Sequence, residues 1–295
     1  MNASPLMSWG RYPVYPQVPQ VPYWRHEIPD LLTLLQRNAG TTLAYGSGLS
    51  YGDSCLASSN QVISTAKLDR FINADWERGL VRVEAGITLD ALLHISIPRG
   101  WFVAVTPGTK YVSVGGAIAN DVHGKNHHRR GTFGCHVTKF SLIRSDQSPQ
   151  LCSAQENVEL FNATIGGLGL TGIIEWAEIQ LMPIASSQLC CVSQRFDNLA
   201  EFFSLSDELD AQHEFCVSWV DCLARGSSAG RGIYMAGDFK DSGTLNVADR
   251  RKLSVPFAPP VSLINNLSVR AFNSLYWRRA PAQRKLIESN YESFF

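Results

Sequence analysis

Residues 106–134 read TPGTKYVSVGGAIANDVHGKNHHRRGTFG. Small residues, hydroxyls and three histidines crowd into this run, with almost no large aliphatic side chain. Such a segment is poor core material. It suits a backbone that must come close to a ligand, because glycine removes the side-chain barrier and permits positive φ. A second run of the same texture, Gly46-Ser47-Gly48-Leu49-Ser50-Tyr51-Gly52, lies upstream. Successive backbone N–H groups in a tight turn form an anion-binding concavity without any Lys or Arg. Two such runs point to a large, phosphate-containing cofactor wrapped in backbone. Ser47, Ser50, Thr109 and Ser113 add hydroxyl donors, and Asn120 and Asp121 can address ribityl or ribose hydroxyls.

Composition narrows the class. The chain has 295 residues, 45% hydrophobic and 18% charged, which is long enough for two domains. Its 26 basic and 26 acidic residues cancel, so the basic footprint of a nucleic-acid binder is missing. No stretch of about 18 uncharged apolar residues offers a membrane span. The N-terminal MNASPLMSWGRYPVYPQVPQVPYW has neither a basic region nor an apolar stretch of the secretory kind, and reads as an extended arm over the surface. Seven cysteines at irregular spacing, with no CxxC pair, argue for free thiols in a reducing compartment, the cytoplasm.

Along the chain, Pro29 to Leu35, closed by Gly40, has the pattern of a short amphipathic helix, and Thr41–Tyr45 that of a strand entering the first glycine-rich run. Leu80–Ala85 alternates as a half-buried strand, and Thr88 starts a capped helix. Strands are expected at 101–105, 136–143 and 173–181, with a helix at 159–165. From Ile184 the glycine density falls and new elements appear at 202–209, 215–220 and 233–235, which sets a domain boundary there. Mixed elements of unequal length predict α+β layers. The run from Ala280 reads as charged and helix-like. Three aromatics in the last five residues, Tyr291-Glu292-Ser293-Phe294-Phe295, suggest a truncated chain.

Two motifs point elsewhere and fail on context. Gly167-Leu168-Gly169-Leu170-Thr171-Gly172 satisfies G-x-G-x-x-G, but a helix precedes it and a strand follows, the reverse of a dinucleotide fold. It reads better as a turn that touches a cofactor from another side. His123, His127, His128 and His136, with Cys135, would need a helix to share a face. Gly124, Asn126 and Gly131 oppose one, so no metal site is expected.

Gly46–Gly52, Pro107-Gly108-Thr109, Val114-Gly115-Gly116-Ala117-Ile118-Ala119 and Asp121-Val122-His123-Gly124-Lys125-Asn126-His127-His128 together resemble the FAD-binding (PCMH-type) domain of vanillyl-alcohol-oxidase-type flavoproteins. The HGKNHH string and Gly169–Ile174 look most like the decaprenylphosphoryl-β-D-ribose 2-oxidase group. The likeness covers most of residues 40–185 and continues more weakly through Ser218-Trp219-Val220-Asp221. It implies a two-subdomain FAD-binding domain over 1–184 and a substrate domain on an antiparallel sheet over 185–295, incomplete against the family. Gly46–Gly52 and Gly108–Gly116, Ser113 and Val114 included, would cradle the pyrophosphate. Asn120, Asp121, Val122 and His123 would run beside the flavin with Gly124, and Gly172 and Ile174 would lie near the adenine end. Some relatives bond the flavin through a histidine in the first loop; Ser50-Tyr51-Gly52 has none, so the FAD is expected to be non-covalent.

The resemblance further implies oxidation of a secondary sugar hydroxyl, with Tyr51, His123 and Lys125 as catalytic candidates and Trp219 in the sugar pocket. Imidazole titrates in the range most useful to a base. A flavin-positioning hydrogen bond is an equal reading of His123. Partners would be a small-molecule or lipid-linked sugar and an electron acceptor such as oxygen or a quinone, with peripheral membrane contact if the sugar is prenyl-linked. The alternatives are an aldonolactone or alditol oxidase on the same fold, or an FAD-binding fragment without turnover. The shortened substrate domain is expected to leave an open sheet edge.

Overall fold

The structure is a computed structural model that describes residues 6–145, 147–248 and 264–295; the side chains of residues 39 and 147 lie outside the description. It divides into two compact units, Met1–Pro183 and Ile184–Phe295.

In the first unit the chain runs β1 (Val18–Gln20), α1 (Ile28–Ala39), β2 (Leu43–Tyr45), β3 (Gln61–Ser64), β4 (Phe71–Asp75) and β5 (Leu80–Glu84). It continues through α2 (Leu89–Ser96), β6 (Trp101–Val103), α3 (Val114–Ala119), α4 (His127–Arg130), β7 (Val137–Arg144), β8 (Gln147–Ser153), α5 (Val158–Thr164) and β9 (Ile173–Pro183). Two sheets result. A small parallel sheet has the order β1-β3-β2, so the proline-rich arm contributes a strand at Val18–Gln20. A larger antiparallel sheet has the order β4-β5-β9-β7-β8, with β6 also on β9.

Local chemistry fixes these elements. Pro29 opens α1 and Gly40, at φ 76°, ends it. Its Ile28, Leu32 and Leu35 pack with Ile63, Leu68, Ile143 and Ile173, tying the small sheet to the larger one. Each fully buried side chain of this size contributes about 1.5–3 kcal/mol. Thr88 caps α2 by accepting from Ala91 N at 3.2 Å. On β9 alternate residues Ala177, Ile179 and Leu181 are buried, and the strand runs on through Met182 and Pro183, two residues past the expected end.

The glycine-rich run 106–134 departs from its reading as core-poor loop. Val114–Ala119 is a helical turn and a half, with Val114, Ala117 and Ile118 fully buried, and Phe133 is buried as well. His127–Arg130 also forms a helical turn, which Gly131 ends at φ 70°. The glycines limit its length and do not prevent it.

In the second unit β10 (Gln188–Phe196), α6 (Leu199–Leu209), β11 (Phe215–Val220), β12 (Gly232–Phe239), α7 (Asn266–Arg279), β13 (Lys285–Asn290) and α8 (Tyr291–Phe294) build an antiparallel sheet of order β11-β12-β10-β13. α6 packs Leu205 and Leu209 on Val192, Phe196, Tyr234 and Ala236. The helix-like reading of the run from Ala280 is wrong: residues 285–290 pair with β10 as a strand. The terminal aromatics are packed. Tyr291 and Phe294 are buried, and the Phe295 ring lies 5.0 Å from that of Phe215. No helix among the described residues is long and apolar enough to cross a membrane.

Candidate functional site

Three segments of the first unit meet around a cavity of about 570 Å³. The chain leaving β2 supplies Gly46 to Tyr51. The chain between β6 and α4 supplies Pro107, Gly108, Thr109, Ser113, Gly115, Gly116, Asn120, Val122 and His123. The glycine cluster before β9 supplies Leu168, Gly169 and Gly172, and β9 itself Ile174. Among the described residues the lining holds no Asp, Glu, Lys or Arg. An anion there must be held by backbone and hydroxyl donors.

The first run has those donors. Among the described residues the N–H groups of Gly46, Ser47, Gly48 and Leu49 donate to no acceptor of the protein. Gly48 sits at φ 66°. A left-handed residue within such a run turns successive N–H groups to one side and makes an anion nest. A Cβ on Gly48 would meet the Tyr45 hydroxyl and lie 2.7 Å from Met7 O, and one on Gly46 would meet Ser113 Oγ. Only glycine fits the seam between the two runs. Beneath it, burial raises the Cys55 thiol, so a neutral sulfur faces the anion site.

The second run contributes differently from expectation. The N–H of Val114 donates to Ile87 O at 2.8 Å, that of Gly115 to Ala85 O at 2.7 Å and that of Gly116 to Ser113 Oγ at 3.2 Å. These amides serve the fold, and the Val114 side chain belongs to the core. What the run offers the cavity is the bare surface of Gly115 and Gly116, the hydroxyls of Thr109 and Ser113, and the N–H groups of Gly108 and Thr109, which donate to no acceptor among the described residues.

Other candidates separate. Asn120 lines the cavity while its Nδ2 donates to Gly116 O at 2.9 Å. Asp121 does not line it; its carboxylate accepts from Gly134 N at 2.8 Å and shapes the following turn. Gly52, Gly124 and Lys125 also lie outside the lining. A Cβ on Gly124 would meet Thr106 O at 2.8 Å, which explains that glycine by packing. Tyr51 and His123 stand exposed at the rim. His123 and His127 meet edge to face with centroids 5.9 Å apart. Trp219 is on β11 of the second unit, with its ring edge on Tyr276 at 5.0 Å.

Some lining residues carried no sequence signal. Trp9 lines the cavity because its N–H donates to Ser50 O at 3.0 Å, bringing the N-terminal arm onto the first run. Leu168 belongs to the glycine turn read from the sequence as touching a cofactor, and its N–H to Ala119 O at 2.8 Å holds it at the cavity. Cys55 and Ala85 complete the wall.

The donor-lined, uncharged cavity fits a dinucleotide bound through its pyrophosphate, and the comparisons name it. Residues 21–153 match the model of an FAD-binding domain. Over 96% of its length the chain is 31% identical to decaprenylphosphoryl-beta-D-ribose oxidase of Mycolicibacterium smegmatis. It is 38% identical over 62% of its length to an uncharacterised protein of Streptomyces coelicolor, and 26% identical over 60% to L-gulonolactone oxidase of Mus musculus. The chain spans 64%, 51% and 40% of those three proteins. With the α+β architecture and the glycine-lined cavity, these matches show an FAD flavoprotein with a PCMH-type FAD-binding domain, similar to the decaprenylphosphoryl-ribose oxidase group of the vanillyl-alcohol-oxidase-type proteins.

Proposed function

We propose that the protein is an FAD-dependent oxidoreductase that oxidises a secondary hydroxyl of a sugar or sugar-phosphate. The observation that carries this reading is the composition of the cavity: unpartnered backbone donors, no fixed charge, and a single imidazole, His123, at the rim. FAD, when bound, supplies a two-electron acceptor for the hydrogen on the carbinol carbon. The residues 46–49 hold the pyrophosphate through N–H groups, and Ser47, Ser50, Thr109 and Ser113 add hydroxyls. Asn120 orients a sugar or polyol hydroxyl through its free Oδ1. His123 takes the hydroxyl proton as the carbonyl forms, and Tyr51 flanks the entrance. No histidine stands in the first run, so FAD is held without a covalent bond. On the resemblance alone, Lys125 stays a further catalytic candidate and Trp219 a substrate contact.

Similarity to L-gulonolactone oxidase supports a second reading, an aldonolactone or alditol substrate on the same scaffold. Two measurements decide. Acid precipitation of the purified protein should release its flavin into the supernatant; flavin retained in the pellet would refute the non-covalent assignment. Anaerobic mixing should then bleach the flavin band with a prenylphosphoryl pentose and not with an aldonolactone. Bleaching by the lactone alone would favour the second reading, and bleaching by neither would leave an FAD-binding chain without turnover.

A further inference from the structure

The second unit holds a cluster of arginines that the redox reading does not use. Arg225 follows β11, Arg231 precedes β12, and Arg270 lies on α7 one turn before Ser274. All four line a cavity of about 290 Å³ over the buried Asp221. We infer that this cavity binds a phosphate-class oxyanion.

The floor of the site is built. Asp221 is 2% exposed, and its Oδ2 accepts from Arg231 Nε at 3.0 Å and Nη2 at 2.8 Å. Its Oδ1 accepts from Asn273 Nδ2 at 2.7 Å and from Leu223 N at 3.1 Å. Burial opposes the charge, but these donors, Arg231 first, outweigh it and hold the carboxyl below its ordinary range. Arg231 is fixed further by Ser274 Oγ, which accepts from Nη2 at 3.0 Å, and by the Trp277 ring 4.9 Å below its guanidinium. A guanidinium held in this way has little conformational entropy left to lose on binding.

What remains open faces a ligand. Arg231 Nη1 has no acceptor among the described residues, and Ser274 Oγ, already an acceptor, keeps its own proton to donate. Arg225 and Arg270 are exposed and have no carboxylate partner among the described residues. Among the described residues Asp221 is the sole acid in the lining, and Arg231 already neutralises it. Two uncompensated guanidinium groups and a rigid third converge from two segments, the connection between β11 and β12 and the helix α7. That arrangement suits a tetrahedral ligand with several charged oxygens better than a planar carboxylate.

The test uses the FAD-saturated protein, so that the donors of the first unit are occupied. Titration calorimetry with inorganic phosphate in physiological salt should show one saturable site. The double variant Arg225→Ala/Arg270→Ala, in which both changes are at exposed positions, should weaken binding at least tenfold with an unaltered thermal transition. Absence of saturable binding to the wild-type protein, or binding by the double variant within twofold of wild type, would overturn the inference. Two further arms identify the source of the phosphate. Tighter binding of ribose 5-phosphate than of inorganic phosphate supports a soluble ester. Co-sedimentation with phosphatidic acid vesicles that the double variant loses supports a lipid headgroup.

Discussion

Two residues carry most of what is testable at the smallest scale. Gly48 is held at φ 66°, where a side chain is strained, and a Cβ would lie 2.7 Å from Met7 O. The Tyr45 hydroxyl, which donates to that carbonyl at 2.6 Å, would have to move. Gly48→Ala should cost about 1–2 kcal/mol of stability and weaken FAD binding by at least tenfold, read by flavin fluorescence on dilution. Retention of wild-type affinity would show that the nest at 46–49 is not the pyrophosphate site. His123 has two readings that kinetics can separate. If it takes the proton, His123→Asn should keep FAD affinity within a few-fold and slow anaerobic flavin reduction by about 10²–10⁴. If it only positions the flavin, affinity and the visible spectrum should change while the reduction rate falls little. Both residues stood out in the sequence through glycine density and the HGKNHH string. Trp9 did not, because its place depends on one backbone hydrogen bond to Ser50 across forty residues of chain.

Among the elements, the larger sheet is pinned by a charge cluster on β9. Glu178 stands opposite Arg82 of β5 and Lys139 of β7 in the ladder. It accepts from Arg82 Nη2 at 2.8 Å and Thr138 Oγ1 at 2.9 Å, with Lys139 Nζ at 3.3 Å. Burial would raise its pKa, but the hydrogen bonds from Arg82, Thr138 and Lys139 outweigh that and lower it from the ordinary 4.5. A carboxyl depressed on folding stabilises the protein fully above its unfolded value, and that stability is lost as pH falls through the folded value. Glu178→Gln should therefore cost about 1–2 kcal/mol near pH 7. In urea unfolding at successive pH values, the gap to wild type should close below pH 4.5. A gap independent of pH would mean that the glutamate acts through packing and not charge. Strands with alternation, such as Leu80–Glu84 and Ile173–Pro183, were legible because one face is buried. The helix Val114–Ala119 was hidden, because Gly115 and Gly116 are poor helix formers and tertiary contacts, with the Ser113 cap, hold the turn. Residues 285–290 misled for the opposite reason: an exposed edge strand lacks the alternation that burial imposes.

That edge bears on the molecule as a whole. Among the described residues β13 pairs with β10 on one side only, and no described strand pairs with its other side. Leu286 is 71% exposed and Ile287, on the opposite face, 41% exposed. Natural sheets protect such edges with charge, proline or a covering element. Here the flanking charges are Lys285 and Glu288, of opposite sign, and the formal net charge of the chain is zero. Long-range repulsion therefore does little to keep two copies apart. Two copies joining β13 edges antiparallel would continue the sheet and bury Leu286 in a two-fold arrangement. Light scattering on a sizing column should show the mean mass rising towards twice the monomer as concentration increases. Leu286→Lys, which adds charge at an exposed position, should hold the protein monomeric with an unchanged thermal transition. If the wild-type protein stays monomeric across the range, the edge is protected. If Leu286→Lys associates as readily as wild type, the contact lies elsewhere, and the exposed Leu267, Phe272 and Leu275 of α7 become the next surface to charge.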